Sequence, residues 1–550
     1  MKKPGMRLLA VLLAASLLLS GCSGRASQRL EELRGSITPL QTEELRETRP
    51  ARNTEVTFRE MVYVRPDMDA LEACLNRARS AARGSDEDAV MEAVDAFYVE
   101  YDWFYTRYSL ADIHYSQDLT NSFWETEYTF CVENAAQADA WQEELFCALA
   151  QSPCRKALER DYFGEGYFDD YDEDETGWDE GFTGLLRQEG TLQNRYYELC
   201  GEQPLTEAAY DDCAREKAQV LVELVSLRRE MAEYWGYESY ADFAWDFYYY
   251  RDYTPEEVEP YLEEISRELV PLYRELVGMD VWDAAYAFAS RSQTLNHVRA
   301  AAEGLGGTVL EAFRAMEAGE LYDIDYGVNK YDTSFEVWLE SYGVPFVFVC
   351  PYNEVYDRLV FAHEFGHFCN DFASSGSGAG TDVLEIFSQG MEYLSLPFGE
   401  DPETLTRVKL ADSLCTYVEQ AAYAVFELRL YALPEEKQTV EGLFELYDQV
   451  ARDFGFDSVG YDRREFVDVS HFYTDPMYIV SYVVSNDAAM QLYQLEQAQP
   501  GAGVERYLGH LDTWQTYFLA FLDEAGLESP FAPGRLPAVK ELFRQKLWNL

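Results

Sequence analysis

The sequence predicts an almost wholly helical protein, all-α apart from one small edge β-element, and three observations lead there. From about residue 53 to 340, apolar side chains recur at steps of three and four, the period of a helix with one buried face. Strand signals are scarce, the clearest being one short aromatic and β-branched run at 344–351. The composition, 47% hydrophobic with 41 Tyr, 32 Phe and 10 Trp in 550 residues, can fill a large core in one big domain or two to three lobes. It excludes a disordered or fibrous chain. With 44 Lys and Arg against 100 Asp and Glu the net charge is −56. Such a field repels phosphate backbones, so nucleic acid is not an expected partner.

Lys2, Lys3 and Arg7 precede an apolar run from Leu8 to Leu19, and Ser20-Gly21-Cys22 follows. A basic head, a short apolar stretch and small residues describe a secretory signal peptide, and the run is short for a membrane span. Leu19-Ser20-Gly21-Cys22 resembles a bacterial lipobox. The expectation is removal of residues 1–21, lipidation of Cys22, and an exported lipoprotein anchored on the extracytoplasmic face of a membrane. Residues 22–52, small and polar, read as a flexible tether. Residues 53–340 form a helical N-terminal region, and 341–550 carry the chemistry. Nine cysteines remain besides Cys22, without a CxxC pair, so buried thiols are expected rather than a thiolate metal site.

Thr254, Pro255 and Glu257 open a helix as N-cap, first residue and capping-box partner. Val258, Leu262, Ile265, Leu269, Leu272 and Leu276 follow on one face, Gly278 ends the run, and Pro271 predicts a kink. Comparable periodicity covers 86–106, 205–233 and 405–430. The strand at 344–351 has Pro345 and Pro351 near its ends, which favours an edge position. The acidic stretch 169–175 lacks the Gly and Glu spacing of a calcium loop and reads as solvated. Gly376 to Gly380, with no following Lys, reads as a link between helices rather than a phosphate loop.

His363-Glu364-Phe365-Gly366-His367 is the sharpest signal. Residues i and i+4 share a helix face, so both imidazoles can reach one metal, and an intervening Glu is the usual general base. A catalytic zinc takes three protein ligands. Glu385, on the next predicted helix with Gln389 and Glu392, is the candidate third. Spacing alone balances that role against a capping box from Asp382. The apolar neighbours Leu384 and Ile386 favour a ligand, because a carboxylate there needs a positive partner. Farther on, His471 precedes a proline-started helix with Tyr478 and Tyr482 on one face.

Together these segments resemble the M3 family of zinc oligopeptidases, especially its oligoendopeptidase F-like branch. The likeness runs in order through Arg228 to Tyr240, the Pro345-Phe346 strand, the HEFGH helix, Asp382 to Glu392, and His471 to Tyr482. It implies one Zn2+ held by His363, His367 and Glu385, with Glu364 as general base toward water. It implies that His471, Tyr478 and Tyr482 contact substrate or stabilise the oxyanion. It implies that the strand at 344–350 pairs with substrate backbone, and that two helical lobes flank a deep channel admitting short unstructured peptides. Asn370 stands where many members have another histidine, and Cys369 beside a ligand suggests sensitivity to oxidation. Two other readings remain open: a related zinc exopeptidase, and a lipid-anchored peptide-binding protein with a vestigial site. A purely structural zinc would usually recruit four protein ligands, and three are found. The chain is expected to be a monomer.

Overall fold

The structure is a computed structural model describing residues 56–168, 171, 179–200, 206–376, 378–458 and 460–548. The expected signal peptide, Cys22 and the tether lie outside the described residues, as does most of the acidic stretch at 169–175. Four principal helices build the N-terminal bundle: α1 (Met68–Ala82), α2 (Glu87–Gln117), α3 (Ser122–Ala150) and α4 (Glu180–Cys200). Their starts follow local chemistry. Asp67 and Asp86 accept from the backbone three residues on, and Asn121 caps α3 in the same manner. Helix α2 outruns the periodicity read at 86–106, because residues 103–111 are buried on every side rather than on one face.

Next come α5 (Glu207–Tyr234), capped by Thr206, and α6 (Tyr240–Phe247). The predicted capping box at Thr254 and Glu257 opens α7 (Pro255–Leu276), which continues through both Pro260 and Pro271. Then α8 (Arg291–Leu305) and α9 (Gly307–Ala318) lead into a three-stranded sheet. Its strands are β1 (Tyr322–Asp323), β2 (Phe335–Leu339) and β3 (Val344–Phe348), in the order β1-β3-β2.

The small β-element is as expected, but β3 is its middle strand, not its edge. It runs parallel to β1 and antiparallel to β2. The register explains how Pro345 is tolerated. Val347 and Val349 donate to Leu321 and Asp323 on the β1 side, at 3.1 and 2.8 Å. By the two-residue period the missing N–H of Pro345 falls on that same side, and β1 pairs only with Val347 and Phe348. The proline therefore costs no ladder bond. Because β3 is flanked on both sides, it cannot take a further strand. The outer edges of β1 and β2 are the free ones among the described strands, and β2 is the longer of the two. Strands on both sides of residue 340 share this sheet, so it joins the two sequence regions.

Beyond the sheet lie α10 (Asp357–Ser374), α11 (Thr381–Ser395), α12 (Pro402–Cys415), α13 (Ala421–Ala432), α14 (Val440–Asp453) and α15 (Val480–Ala498). The stretch expected at 405–430 is a single run, α12 joined to α13 through a wide π-type turn at Thr416–Gln420. Helix α11 is buried on nearly all faces because it packs between α10 and α15. Gly366 permits that packing: a Cβ there would stand 2.5 Å from the Phe387 carbonyl and 2.6 Å from Ser388 Cα on α11. Cys74, Cys131, Cys147, Cys154, Cys213 and Cys369 are buried free thiols, as expected, with Cys200, Cys350 and Cys415 partly exposed. No helix among the described residues is long and apolar enough to cross a membrane.

Candidate metal centre and active site

Helices α10 and α11 form a hairpin whose facing sides carry His363, His367 and Glu385. One nitrogen from each imidazole and one carboxylate oxygen lie within 4.8 Å of one another. Nε2 of His363 is 3.4 Å from Glu385 Oε2, and Nε2 of His367 is 3.8 Å from Glu385 Oε1. The carboxylate of Glu385 is 1% exposed and aimed between the rings. The open alternative of a capping box is excluded, because α11 begins at Thr381 with Gly380 as N-cap. Asp382 lies inside the first turn, paired with Arg251 at 3.2 Å. Two imidazoles and a carboxylate converging from rigid helices suit zinc in number and chemistry. His363 and His367 remain partly exposed, at 20% and 17%, so the cluster opens to solvent as a catalytic centre must.

The electrostatics follow from burying three carboxylates beside two imidazoles. Burial alone would lower His363, but its hydrogen bond to Glu392 and the charges of Glu385 and Glu364 push it up to about 9. Burial instead holds His367 down, at about 4, against the pull of Glu385. Glu385 stays below the usual carboxylate value despite burial, because His367, His363, Tyr478 and Ser388 favour its charged form. Glu364 goes the other way. Burial, reinforced by Glu385 and Glu392, raises it to about 7 against the charge of His363. A carboxyl near neutrality can both accept and return a proton.

Glu392, noted in the sequence only as sharing a face with Glu385, has a definite place. Its Oε1 lies 2.9 Å from His363 Nδ1, and its Oε2 is held by Lys409 Nζ at 2.7 Å. That contact orients the ring and presents Nε2 to the cluster. Cys369 corrects an expectation. It is fully buried with its thiol raised well above the normal value by burial, so it is an inert core residue and not an oxidation-sensitive one. Asn370 is also buried and donates to the Leu511 carbonyl at 2.7 Å.

The third limb comes from residues 471–482. The helix there starts at Val480, not at Pro476, and a short helical turn (His471–Thr474) precedes it. Tyr478 thus lies in the connecting turn. Its hydroxyl donates to Glu385 Oε1 at 2.6 Å, while the ring stacks on His471 with centroids 5.0 Å apart. His471 Nε2 is 3.2 Å from the Tyr482 hydroxyl, and its Nδ1 is 3.4 Å from Asp475. Burial keeps both tyrosine hydroxyls protonated. All seven predicted metal and catalytic residues therefore meet in one place.

Two buried guanidinium groups that sequence reasoning did not single out support this limb. Arg228 on α5 donates to the Phe472 carbonyl at 2.7 Å, to Glu189 at 2.6 Å, and to the Tyr473 carbonyl. Gln193 on α4 adds a bond to the Tyr473 carbonyl at 3.1 Å. Arg251 donates to the Met477 carbonyl at 3.0 Å and to Ser481 at 2.9 Å. Only a run of tyrosines before Arg251 hinted at an aromatic cradle; Trp245 and Tyr249 ring centroids each lie 4.3 Å from the guanidinium.

Comparison with known proteins supports the same frame. Residues 58–175 match the profile of the Peptidase M3 N-terminal domain. No curated protein sequence matches the chain. Among solved structures, PZ peptidase A with an inhibitor aligns at TM-score 0.76 and 20% identity, over 90% of this chain and 99% of that one. A candidate oligoendopeptidase F from Bacillus anthracis str. Ames aligns at 0.74 and 19%, over 90% and 98%. Oligoendopeptidase-F from Enterococcus faecium aligns at 0.57 and 14%, over 87% and 96%. The chain therefore has the oligoendopeptidase F-like peptidase fold, with an N-terminal part matching that of peptidase family M3.

Proposed function

We propose that this protein is a zinc metalloendopeptidase acting on short unstructured peptides, exported and held at the membrane surface by lipid on Cys22. The observation that carries the catalytic part is the convergence of His363, His367 and Glu385 with Glu364 on the same helix. The names of the similar structures and the M3 N-terminal match support the peptide substrate class. The basic and apolar N-terminus ending in Leu-Ser-Gly-Cys supports the address.

Zinc bound to this triad would supply Lewis acidity, polarising a peptide carbonyl and acidifying water. The protein does the rest. Glu364 takes a proton from the attacking water on its carboxylate and returns it to the leaving amine. With the Tyr478 hydroxyl donating to Glu385, the pair formed by His471 Nε2 and the Tyr482 hydroxyl is the donor left for an oxygen that gains negative charge. Substrate backbone is assigned to β2. Phe335, Val337 and Leu339 face β3 through the ladder, which leaves the N–H and C=O groups of Glu336 and Trp338 directed outward. This replaces β3, named in the sequence reading, for the reason given by the sheet order. A peptide-capture protein would have no need of Glu364 beside a complete ligand set, so the enzyme reading is favoured.

The test is Glu364→Gln. Hydrolysis of an internally quenched peptide should fall by about a thousandfold or more, while about one zinc per chain remains bound. Turnover at the wild-type rate would refute the assignment. Mass spectrometry of the wild-type products separates internal cleavage from end trimming.

A further inference from the structure

Met477 has a left-handed backbone, φ 70°, and immediately precedes Tyr478. A residue with a Cβ enters that region at a cost in free energy, so its surroundings must hold it there. They do so from both sides. The N–H of Met477 donates to Glu427 Oε1 at 2.8 Å, and its carbonyl accepts from Arg251 Nη2 at 3.0 Å. The preceding carbonyl, of Pro476, accepts from Tyr249 Oη at 2.8 Å. Glu427 is 1% exposed, and the Arg251 side chain is completely buried. Arg251 is fixed in turn by Asp382 on α11, three residues before Glu385, and by Ser481 at the start of α15. The turn so held delivers the Tyr478 hydroxyl to Glu385 Oε1.

We infer that Glu427 and Arg251 are positioning residues: gripping the two ends of the Met477 residue, they impose the left-handed turn that aims Tyr478 at Glu385. The functional consequence rests on the peptidase reading; the geometry does not. A merely space-filling role for Glu427 predicts something different. It would tolerate an apolar side chain of similar size, and its loss would be indifferent to which residue stands at 477.

Glu427→Leu removes the acceptor and Glu427→Gln keeps one. In a crystal structure of Glu427→Leu, Met477 should leave the left-handed region and Tyr478 Oη should move beyond hydrogen-bonding distance of Glu385. In the Gln variant both should stay. Peptide kcat should fall about tenfold or more in Glu427→Leu with KM changed by less than about twofold. Adding Met477→Gly should recover most of the lost kcat and the Tyr478–Glu385 contact, because glycine adopts that φ without a Cβ penalty. An unchanged turn in Glu427→Leu, or a double variant no better than the single one, would overturn the inference. Should Glu427→Leu fail to fold, Arg251→Lys carries the same expectations, since it keeps a charge beside Asp382 but loses the planar fork. If the wild type hydrolyses no peptide, the peptidase reading fails, and the crystallographic comparison alone decides the role of Glu427 and Arg251.

Discussion

Glu392 shows how much of the site lies behind the ligands. One of its oxygens meets His363 Nδ1 and the other meets the buried Lys409 ammonium. Replacing it by Ala would free the ring to rotate and leave Lys409 without that partner. Zinc affinity, measured by competition with a chelator, should weaken by about tenfold to a hundredfold. An affinity equal to wild type would show that the ring is fixed by packing alone. The three clustered residues were readable in the sequence because two of them obey a helical period and the third sits between apolar neighbours. Glu392 could be placed only on a face. Its partner is the second nitrogen of a ring on another helix, and no local spacing encodes which nitrogen points where.

Among elements, the α10–α11 hairpin depends on close approach of two backbones. Gly366→Ala would push a methyl group into the Phe387 carbonyl and Ser388 Cα, both backbone atoms that cannot swing aside. We expect a loss of about 1–3 kcal/mol or more, seen as a lower thermal midpoint, together with weaker zinc binding as the ligands separate. Gly278→Ala is the control: the nearest atom to a new Cβ there lies 3.9 Å away, so neither quantity should fall. Equal effects in the two variants would contradict this account of the hairpin. Helix existence was legible from period and caps, as at Thr254 and Glu257. Boundaries were less so where tertiary contacts override local signals. Pro476 suggested a helix start, yet the grip on Met477 delays it to Val480. Two prolines suggested an edge strand, yet the register of β3 makes Pro345 harmless in the middle of the sheet.

Over the whole molecule, the charge of −56 acts on anything that approaches. At low ionic strength Lys-rich peptides should show a higher kcat/KM than Glu-rich peptides of equal length. The difference should shrink once the Debye length falls to about 3 Å near 1 M salt. Equal values at low salt would count against a field reaching the His363, His367 and Glu385 cluster. Charge could be read from composition, and fold class from the helical period together with the scarcity of strand signals. The joining of the two sequence regions could not, since it depends on residues hundreds of positions apart. Arg228 and Gln193 stand before residue 340, yet they fasten the carbonyls beside His471. The half that holds the His-His-Glu cluster is consequently no transplantable cassette. A fragment beginning at residue 341 would carry His363, His367 and Glu385 but lack the guanidinium and amide that fasten the peptide after His471, and also two of the three strands beside its helix. Excised, it would keep the two imidazoles and the carboxylate but stand them beside a loose wall.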